Sequence, residues 1–370
     1  MTYAAITGWG KCLPPAVLTN QDLSTILETD DEWVVSRTGI RERRISHVGL
    51  QELGYVAAAR ALAAAGLQGS SIDLIVFGTC SHDDQVPNMA SGIQLRIGAQ
   101  PAAAFDINTA CTSFLYGLSA ATAMIRSGVV RRALVIGAEL ISPFMDWTDR
   151  NVAVLFGDGA AAVVLEASEN EEGVLAEKLG CFGEARDILT VQGMGGRYAN
   201  HGVLYGVTRW KFEGQEIFKK AVAGMSAACA DSLGRLGLTA QDVDLVVPHQ
   251  ANLRIIEAVA RKAGVPMERV FVNIHRYGNM SAATVAIALC EALEEGRVRA
   301  GNLLMLPGFG GGLSYCAHLI RWGSRTTPLG LSEVELPPSQ RTALELIQDC
   351  LRRKTQPSAR GQAAQPFAGL

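Results

Sequence analysis

Cys111 lies in Asp106-Ile-Asn-Thr-Ala-Cys-Thr-Ser-Phe, between a β-branched run and a helical pattern. The partial positive charge at a helix start favours thiolate over thiol. A thiolate there can attack a thioester, and nearby backbone amides can hold the oxyanion that forms. A cysteine is also an ordinary small core residue, so position alone does not decide between the two roles.

His249, in Val247-Pro-His-Gln-Ala-Asn, follows a short apolar run. The ends of such strands are where α/β proteins hold ligands. Asn279, in Arg276-Tyr-Gly-Asn-Met-Ser, follows a glycine and offers an uncharged amide donor. A histidine and an amide side by side suit the stabilisation of a thioester enolate, although taken alone the histidine is more often a structural hydrogen-bonding residue and the asparagine a turn residue. Gly308-Phe-Gly-Gly-Gly allows close backbone approach and exposed amides. No Gly-Lys-Ser/Thr follows it, so it is not a phosphate loop.

The elements that must carry these residues alternate. Helical spacing over 54–67 precedes an apolar run from Asp73 to Phe77. A second strand-like run over 102–107, a helix over 112–127 and a strand over 133–137 follow. This alternation predicts a layered α/β fold. It is also duplicated: Val76 and Val247, Asn108 and Asn279, and Gly137 and Gly308 are each 171 positions apart (247 − 76 = 171). The expected organisation is an N-terminal half over 1–170 with the cysteine and a C-terminal half over 171–324 with the histidine and asparagine. Two such halves packed together place their loops face to face. Residues 325–370 form an extension. Within it Ser339 is placed to cap an amphipathic helix with Ala343, Leu344, Ile347 and Leu351 on one stripe, ahead of a disordered Gln/Ala/Pro-rich end.

Composition sets the wider limits. Hydrophobic residues make up 48% and charged residues 19%, which is enough to fill a core. The net charge of −3 gives no basic excess for nucleic acid. No apolar run reaches the ~18 residues that span a bilayer, and Met1 to Lys11 lacks the features of a signal peptide. The eight cysteines show no metal-ligand spacing, so the expectation is a cytoplasmic chain with free thiols and no metal.

Taken together, these segments resemble the β-ketoacyl-acyl carrier protein synthase III family of the thiolase fold. The resemblance runs from about Thr7 to Trp322. It rests on the run from Asp31 to Ile45, the Cys111 segment, Leu155-Phe-Gly-Asp-Gly-Ala, Pro248-His-Gln-Ala-Asn-Leu-Arg, Arg276-Tyr-Gly-Asn and Gly308-Phe-Gly-Gly-Gly. It implies two duplicated α/β halves in a layered α-β-α-β-α sandwich. It also implies a catalytic triad of Cys111, His249 and Asn279, with the amides of Cys111 and Gly311 as an oxyanion hole. Acyl-CoA and malonyl-acyl carrier protein would be substrates, with no further cofactor, and the chain would be a homodimer. Implied CoA contacts are Trp33, Arg37, Thr38, Arg150, Phe218, Ala251 and Asn252. Implied carrier-protein contacts are Gln250, Ala251, Asn252, Leu253 and Arg254, with Lys219, Arg261 and Lys262 offering positive charge.

The chain departs from the family pattern at several positions. Thr112-Ser113 replaces the usual Ala-Gly after the nucleophile and is expected to alter the floor of the site. Gln215 stands where an asparagine often meets CoA. Val86 stands where an acetyl-specific member has phenylalanine at the acyl pocket of its partner subunit, which points to a medium-chain primer. Two other readings stay open: a specialised-metabolite ketosynthase or acyltransferase of the same fold, and a non-catalytic acyl-CoA or carrier-protein binding module.

Overall fold

The structure is a computed structural model and describes residues 2–196, 198 and 208–355, without the side chains of 352–355. The Gln/Ala/Pro-rich end expected to be disordered lies outside the described residues.

Two sheets form the frame. The first is five-stranded, in the order Tyr3–Cys12, Gly159–Ser168, Arg132–Glu139, Leu74–Gly78 and Ala103–Ile107. The second is four-stranded, in the order Leu245–Val246, Leu303–Gly310, Ser314–Arg321 and Gly173–Cys181. Strand residues are almost wholly apolar because both sheets are covered on both faces.

Three helical layers do the covering. Helix Leu50–Ala65 buries Leu53, Ala57, Ala58, Ala61 and Leu62 on the outside of the first sheet. Its small residues and two strand glycines permit a close approach. A Cβ on Gly8 would sit 2.3 Å from the Ala61 carbonyl oxygen, and one on Gly10 would sit 2.5 Å from the Ala61 nitrogen. Helices Ser113–Arg126 and Thr284–Glu294 lie between the sheets in one apolar core that takes side chains from both. Helices Gly214–Arg235 and Leu253–Ala263 cover the outside of the second sheet. The layers run α-β-α-β-α, as expected.

The 171-residue offset is visible in three dimensions. The 3₁₀ turns Ala110–Thr112 and Ser281–Ala283 correspond, as do the helices starting at Ser113 and Thr284 and the strands starting at Arg132 and Leu303 (303 − 132 = 171). Ala110 and Ser281 also share a left-handed backbone, with φ of 50° and 46°. The helix expected over 54–67 starts a turn earlier, because Leu50 and Leu53 extend its buried stripe.

The extension is more than one helix. Residues after Trp322 run along the outside of the Leu50–Ala65 helix. Arg325 donates to the carbonyls of Thr7 and Ala65, the Leu329 amide donates to Ala64, and Arg60 pairs with Glu335 at 2.6 Å. Helix Ala343–Thr355 then docks Ala343, Leu346 and Ile347 into a core containing Leu18, Ile45, Ile141 and Met145. Thr342, rather than Ser339, caps this helix: its hydroxyl and the Glu345 carboxylate bond each other's backbone amides. The buried face is therefore turned from the expected stripe, with Leu346 more deeply buried than Leu344.

Arg43 lies fully buried at the base of the same core, with no carboxylate in bonding contact among the described residues. It donates to the carbonyls of Leu18 and Val154 and to Asn20 Oδ1. Burial pushes its pKa down to about 9, partly offset by Glu42, Asp22 and Asp31. Replacing it strands these buried acceptors. We expect Arg43→Met to lose about 2 kcal/mol of stability, read as a lower urea midpoint at unchanged slope.

Candidate active site

Cys111 sits in the turn Ala110–Thr112, just after the edge strand Ala103–Ile107 and before helix Ser113–Arg126. His249 follows strand Leu245–Val246, and its amide donates to the Pro307 carbonyl at 2.9 Å. Asn279 is joined to Phe156 by a parallel bridge, and its amide donates to the Leu155 carbonyl at 2.8 Å. The Leu155-Phe-Gly-Asp motif is thus what seats Asn279. All three side chains line one cavity of about 960 Å³.

The local chemistry differs at each. His249 is 2% exposed, and burial pushes its pKa down to about 3, so the ring is neutral. Its Nδ1 lies 2.5 Å from the Thr284 hydroxyl. Asn279 Oδ1 accepts the Ser281 amide at 2.8 Å, which leaves its NH₂ as the free donor end. Cys111 departs from expectation. Its thiol pKa is pushed up to about 12 by burial, against a lowering contact from the Ser281 hydroxyl. The 3₁₀ turn delays the α-helix to Ser113, so Cys111 is one step removed from the helix start.

Gly310, not Gly311, lines the cavity beside Cys111. Thr112 and Ser113 are fully buried and do not form the cavity floor. Their hydroxyls brace the nucleophile turn from behind, with Thr112 on Thr109 O and Ser314 Oγ and Ser113 on Ala110 O.

At the mouth, Trp33, Arg37, Thr38, Gln215, Phe218, Ala251 and Asn252 line the cavity. Arg150 does not, but its guanidinium lies 5.0 Å from the Trp33 ring, and that of Arg37 lies 4.7 Å from it. Asn252 is engaged already: it caps helix Leu253–Ala263 through Arg254 N and donates to the Arg37 carbonyl. Thr38 likewise spends its hydroxyl on Val34 O and Ile40 N.

Lys219, Arg254 and Arg261 are exposed and line the same cavity, whereas Lys262 is exposed but does not line it. Arg254 also donates to Ser36 O, and Lys219 pairs with Glu216. Leu253 is half-buried and packs into the Arg43 core. Gln250 cannot meet a carrier protein. It is 1% exposed and bonds Pro248 O, Phe271 O and the amides of Asn273 and Ile274. It is an internal clamp on the histidine loop. Val86, by contrast, is 80% exposed and lies off the cavity wall.

Comparison with known proteins decides the family. Residues 105–183 match 3-oxoacyl-[acyl-carrier-protein (ACP)] synthase III, and residues 233–322 match the C-terminal part of that synthase. A Vibrio cholerae serotype O1 relative, β-ketoacyl-[acyl-carrier-protein] synthase III 2, is 52% identical over 96% of this chain and 99% of its own. The chain belongs to the β-ketoacyl-acyl carrier protein synthase III family. The Roseiflexus castenholzii synthase III is 48% identical over 99% of its own length but only 87% of this chain. The Aquifex aeolicus synthase III structure superimposes with a TM-score of 0.81 at 42% identity, over 86% of this chain and all of its own. This synthase is thus an acyltransferase of the thiolase fold. Among its described residues no helix is long and apolar enough to cross a membrane.

Sequence reasoning missed Thr284, Ser281 and Glu139. The first two lie close behind Asn279 in the helix-opening segment, where a pattern of small residues shows no chemistry. Glu139 is two positions past the repeat glycine Gly137, in what reads as the end of a buried strand.

Proposed function

We propose that this enzyme transfers an acyl group from acyl-CoA to Cys111 and then condenses it with malonyl-acyl carrier protein, releasing CO₂ and a 3-oxoacyl-carrier protein in fatty acid synthesis. The observation that carries this is the meeting of Cys111 from one repeat with His249 and Asn279 from the other on a single cavity. In the first half-reaction the Cys111 sulfur bonds to the acyl carbon and the CoA thiolate leaves. In the second, the malonyl C–C bond breaks and its electron pair forms an enolate. His249 and Asn279 hydrogen-bond the enolate oxygen, the enolate carbon attacks the acyl-cysteine, and the Cys111 thiolate leaves. This needs a ring N–H facing the cavity. With the ring hydrogen on Nε2, Nδ1 accepts from the Thr284 hydroxyl 2.5 Å away, which turns to it from the Ser281 carbonyl.

Trp33 offers a stacking face for adenine, which must displace one of the two guanidiniums now over the ring. The exposed cations Arg254, Arg261, Lys262 and Lys219 suit an acidic carrier protein. A homodimer places the exposed Val86 in the partner's acyl pocket, where a smaller side chain suits a medium-chain primer. The edge strand Ala103–Ile107 supports pairing with a second copy, since among the described residues no strand covers its outer side.

Intact-protein mass spectrometry after incubation with acyl-CoAs from acetyl to dodecanoyl tests the reading. A single acyl adduct is expected, absent in Cys111→Ala and strongest at medium length. Acetyl-CoA turned over as well as octanoyl-CoA would remove the Val86 assignment. No adduct from any acyl-CoA or acyl-carrier protein would leave a binding module.

A further inference from the structure

One helix reaches both residues assigned to condensation. Helix Thr284–Glu294 lies between the sheets, and the Thr284 hydroxyl at its start lies 2.5 Å from His249 Nδ1. Seven residues on (291 − 284 = 7), two turns along the same face, stands Glu291. It is the one charged side chain among the buried residues of that helix and is 4% exposed. Its counterpart in the first repeat, 171 positions earlier, is Ala120, so the nucleophile half does without it.

Both Glu291 oxygens hold the segment that ends at Asn279. Oε1 accepts the hydroxyl of Tyr277, two residues before Asn279, at 2.5 Å, and Oε2 accepts the Asn273 side-chain amide at 2.9 Å. The short helix Ile274–Tyr277 is thus fixed at both ends. Gly278 then turns the chain into Asn279 with a positive φ of 62°, packed so that a Cβ would meet the Leu155 carbonyl oxygen at 2.7 Å. Asn273 also reaches the histidine loop: its backbone amide and that of Ile274 donate to Gln250 Oε1 at 3.1 and 3.2 Å. The circuit closes, from His249 through Gln250, Asn273 and Glu291, along the helix to Thr284 and back to the His249 ring. Among the described residues no Glu291 bond goes to the Cys111 turn.

The charge on Glu291 is what lets it hold so much. Lys11, from the edge strand Tyr3–Cys12, donates to Oε1 at 3.1 Å, and the Arg276 guanidinium lies 3.5 Å from Oε2. Burial pushes the Glu291 carboxyl up, but the Tyr277, Asn273 and Lys11 donors outweigh it and hold its pKa below the usual carboxylate range. The anion meets all four donors. An amide in its place has one accepting oxygen, and its NH₂ must face either Lys11 or Arg276.

We propose that Glu291 is a positioning residue for condensation, the anchor that fixes the His249 and Asn279 side chains relative to each other where the enolate oxygen will sit. It touches no substrate. The inference rests on the reading that these two residues stabilise the enolate while Cys111 carries the acyl group.

The test is a split between the two half-reactions, which a general loss of structure would not produce. Acyl-cysteine formation is followed in a single turnover with acetyl- or octanoyl-CoA, whichever loads wild type faster. The preformed acyl-enzyme is then mixed with malonyl-carrier protein over a range of concentrations. We expect Glu291→Gln to condense about ten-fold or more slowly at saturation, with the half-saturating concentration unchanged and acylation within about two-fold of wild type. Tyr277→Phe removes one arm of the anchor and keeps the ring, so it should show the same split to a smaller degree. Added to Glu291→Gln it should cost less than it costs alone, because both cut one circuit. Tyr277→Phe also answers the question if Glu291→Gln does not fold. Equal losses in both half-reactions, no loss in either, or a raised half-saturating concentration at an intact maximal rate overturns the proposal. Asn279→Ala is the reference. If it shows no split, the reading of the site fails and the proposal with it, whereas a split there beside none in Glu291→Gln or Tyr277→Phe overturns the proposal alone.

Discussion

His249→Ala should retain the acyl-cysteine and lose condensation, by about 10³-fold in kcat. The reason is a division of labour set by the geometry. His249 is neutral and lines the cavity, and in the proposed reaction its Nε2–H donates where enolate charge develops. Removing one such donor in a closed site costs ~10²–10³-fold. Acylation does not need this donor, so the acyl adduct should still form on incubation with acyl-CoA. The measurement is twofold: adduct by intact mass, and ¹⁴CO₂ release or 3-oxoacyl product with malonyl-carrier protein. Because the ring stays neutral above about pH 3, wild-type condensation should show no acid limb from His249 near its ordinary pKa. Equal loss of both half-reactions would assign the histidine to the cysteine instead.

Gly310→Ala should leave a folded protein that acylates at least about 100-fold more slowly. An added Cβ would stand 2.8 Å from the Cys111 nitrogen and 3.0 Å from both Thr109 O and Thr112 N. These are backbone atoms of the nucleophile turn, so no side chain can swing away to make room. The turn is itself pinned from behind by Thr112 and Ser113, and Ala110 already has a left-handed φ of 50°. The methyl therefore moves the nucleophile and its amide, and a displacement near 1 Å costs ~10²-fold in reactive geometry. Thermal unfolding would separate this from a general loss of structure, and acylation at the wild-type rate would show that Gly310 has slack.

Much of the fold and of the triad is legible in the sequence alone. The 171-residue offset joins Asn108 to Asn279 and so puts the cysteine and asparagine loops in one place, because a repeated phrase survives as a repeated fold. Trp33, by contrast, is readable only through family resemblance, since one tryptophan on a short helix carries no periodic signal. The hydrogen-bond network on Glu139 escapes altogether. Glu139, Ser281 and the Thr79–Ser81 run come from three distant stretches, each surrounded by apolar or small residues, and only the packing of two sheet ends brings them together. Gln250 misleads in the opposite way: a polar residue in a contact motif looks exposed, yet its amide is consumed by four backbone groups. The path of residues 323–341 is hidden because an extended strap is anchored at single points, Arg325, Leu329 and Glu335, with no repeat to read.

That strap has a consequence for how the chain is made. Helix Ala343–Thr355 closes a core whose other walls, Leu18, Ile45 and Ile141, leave the ribosome well before it does. At ~5–20 residues per second, those apolar faces wait tens of seconds for this cover. The nascent first half therefore emerges sticky, and a chain arrested before the last helix would be a natural client for chaperones.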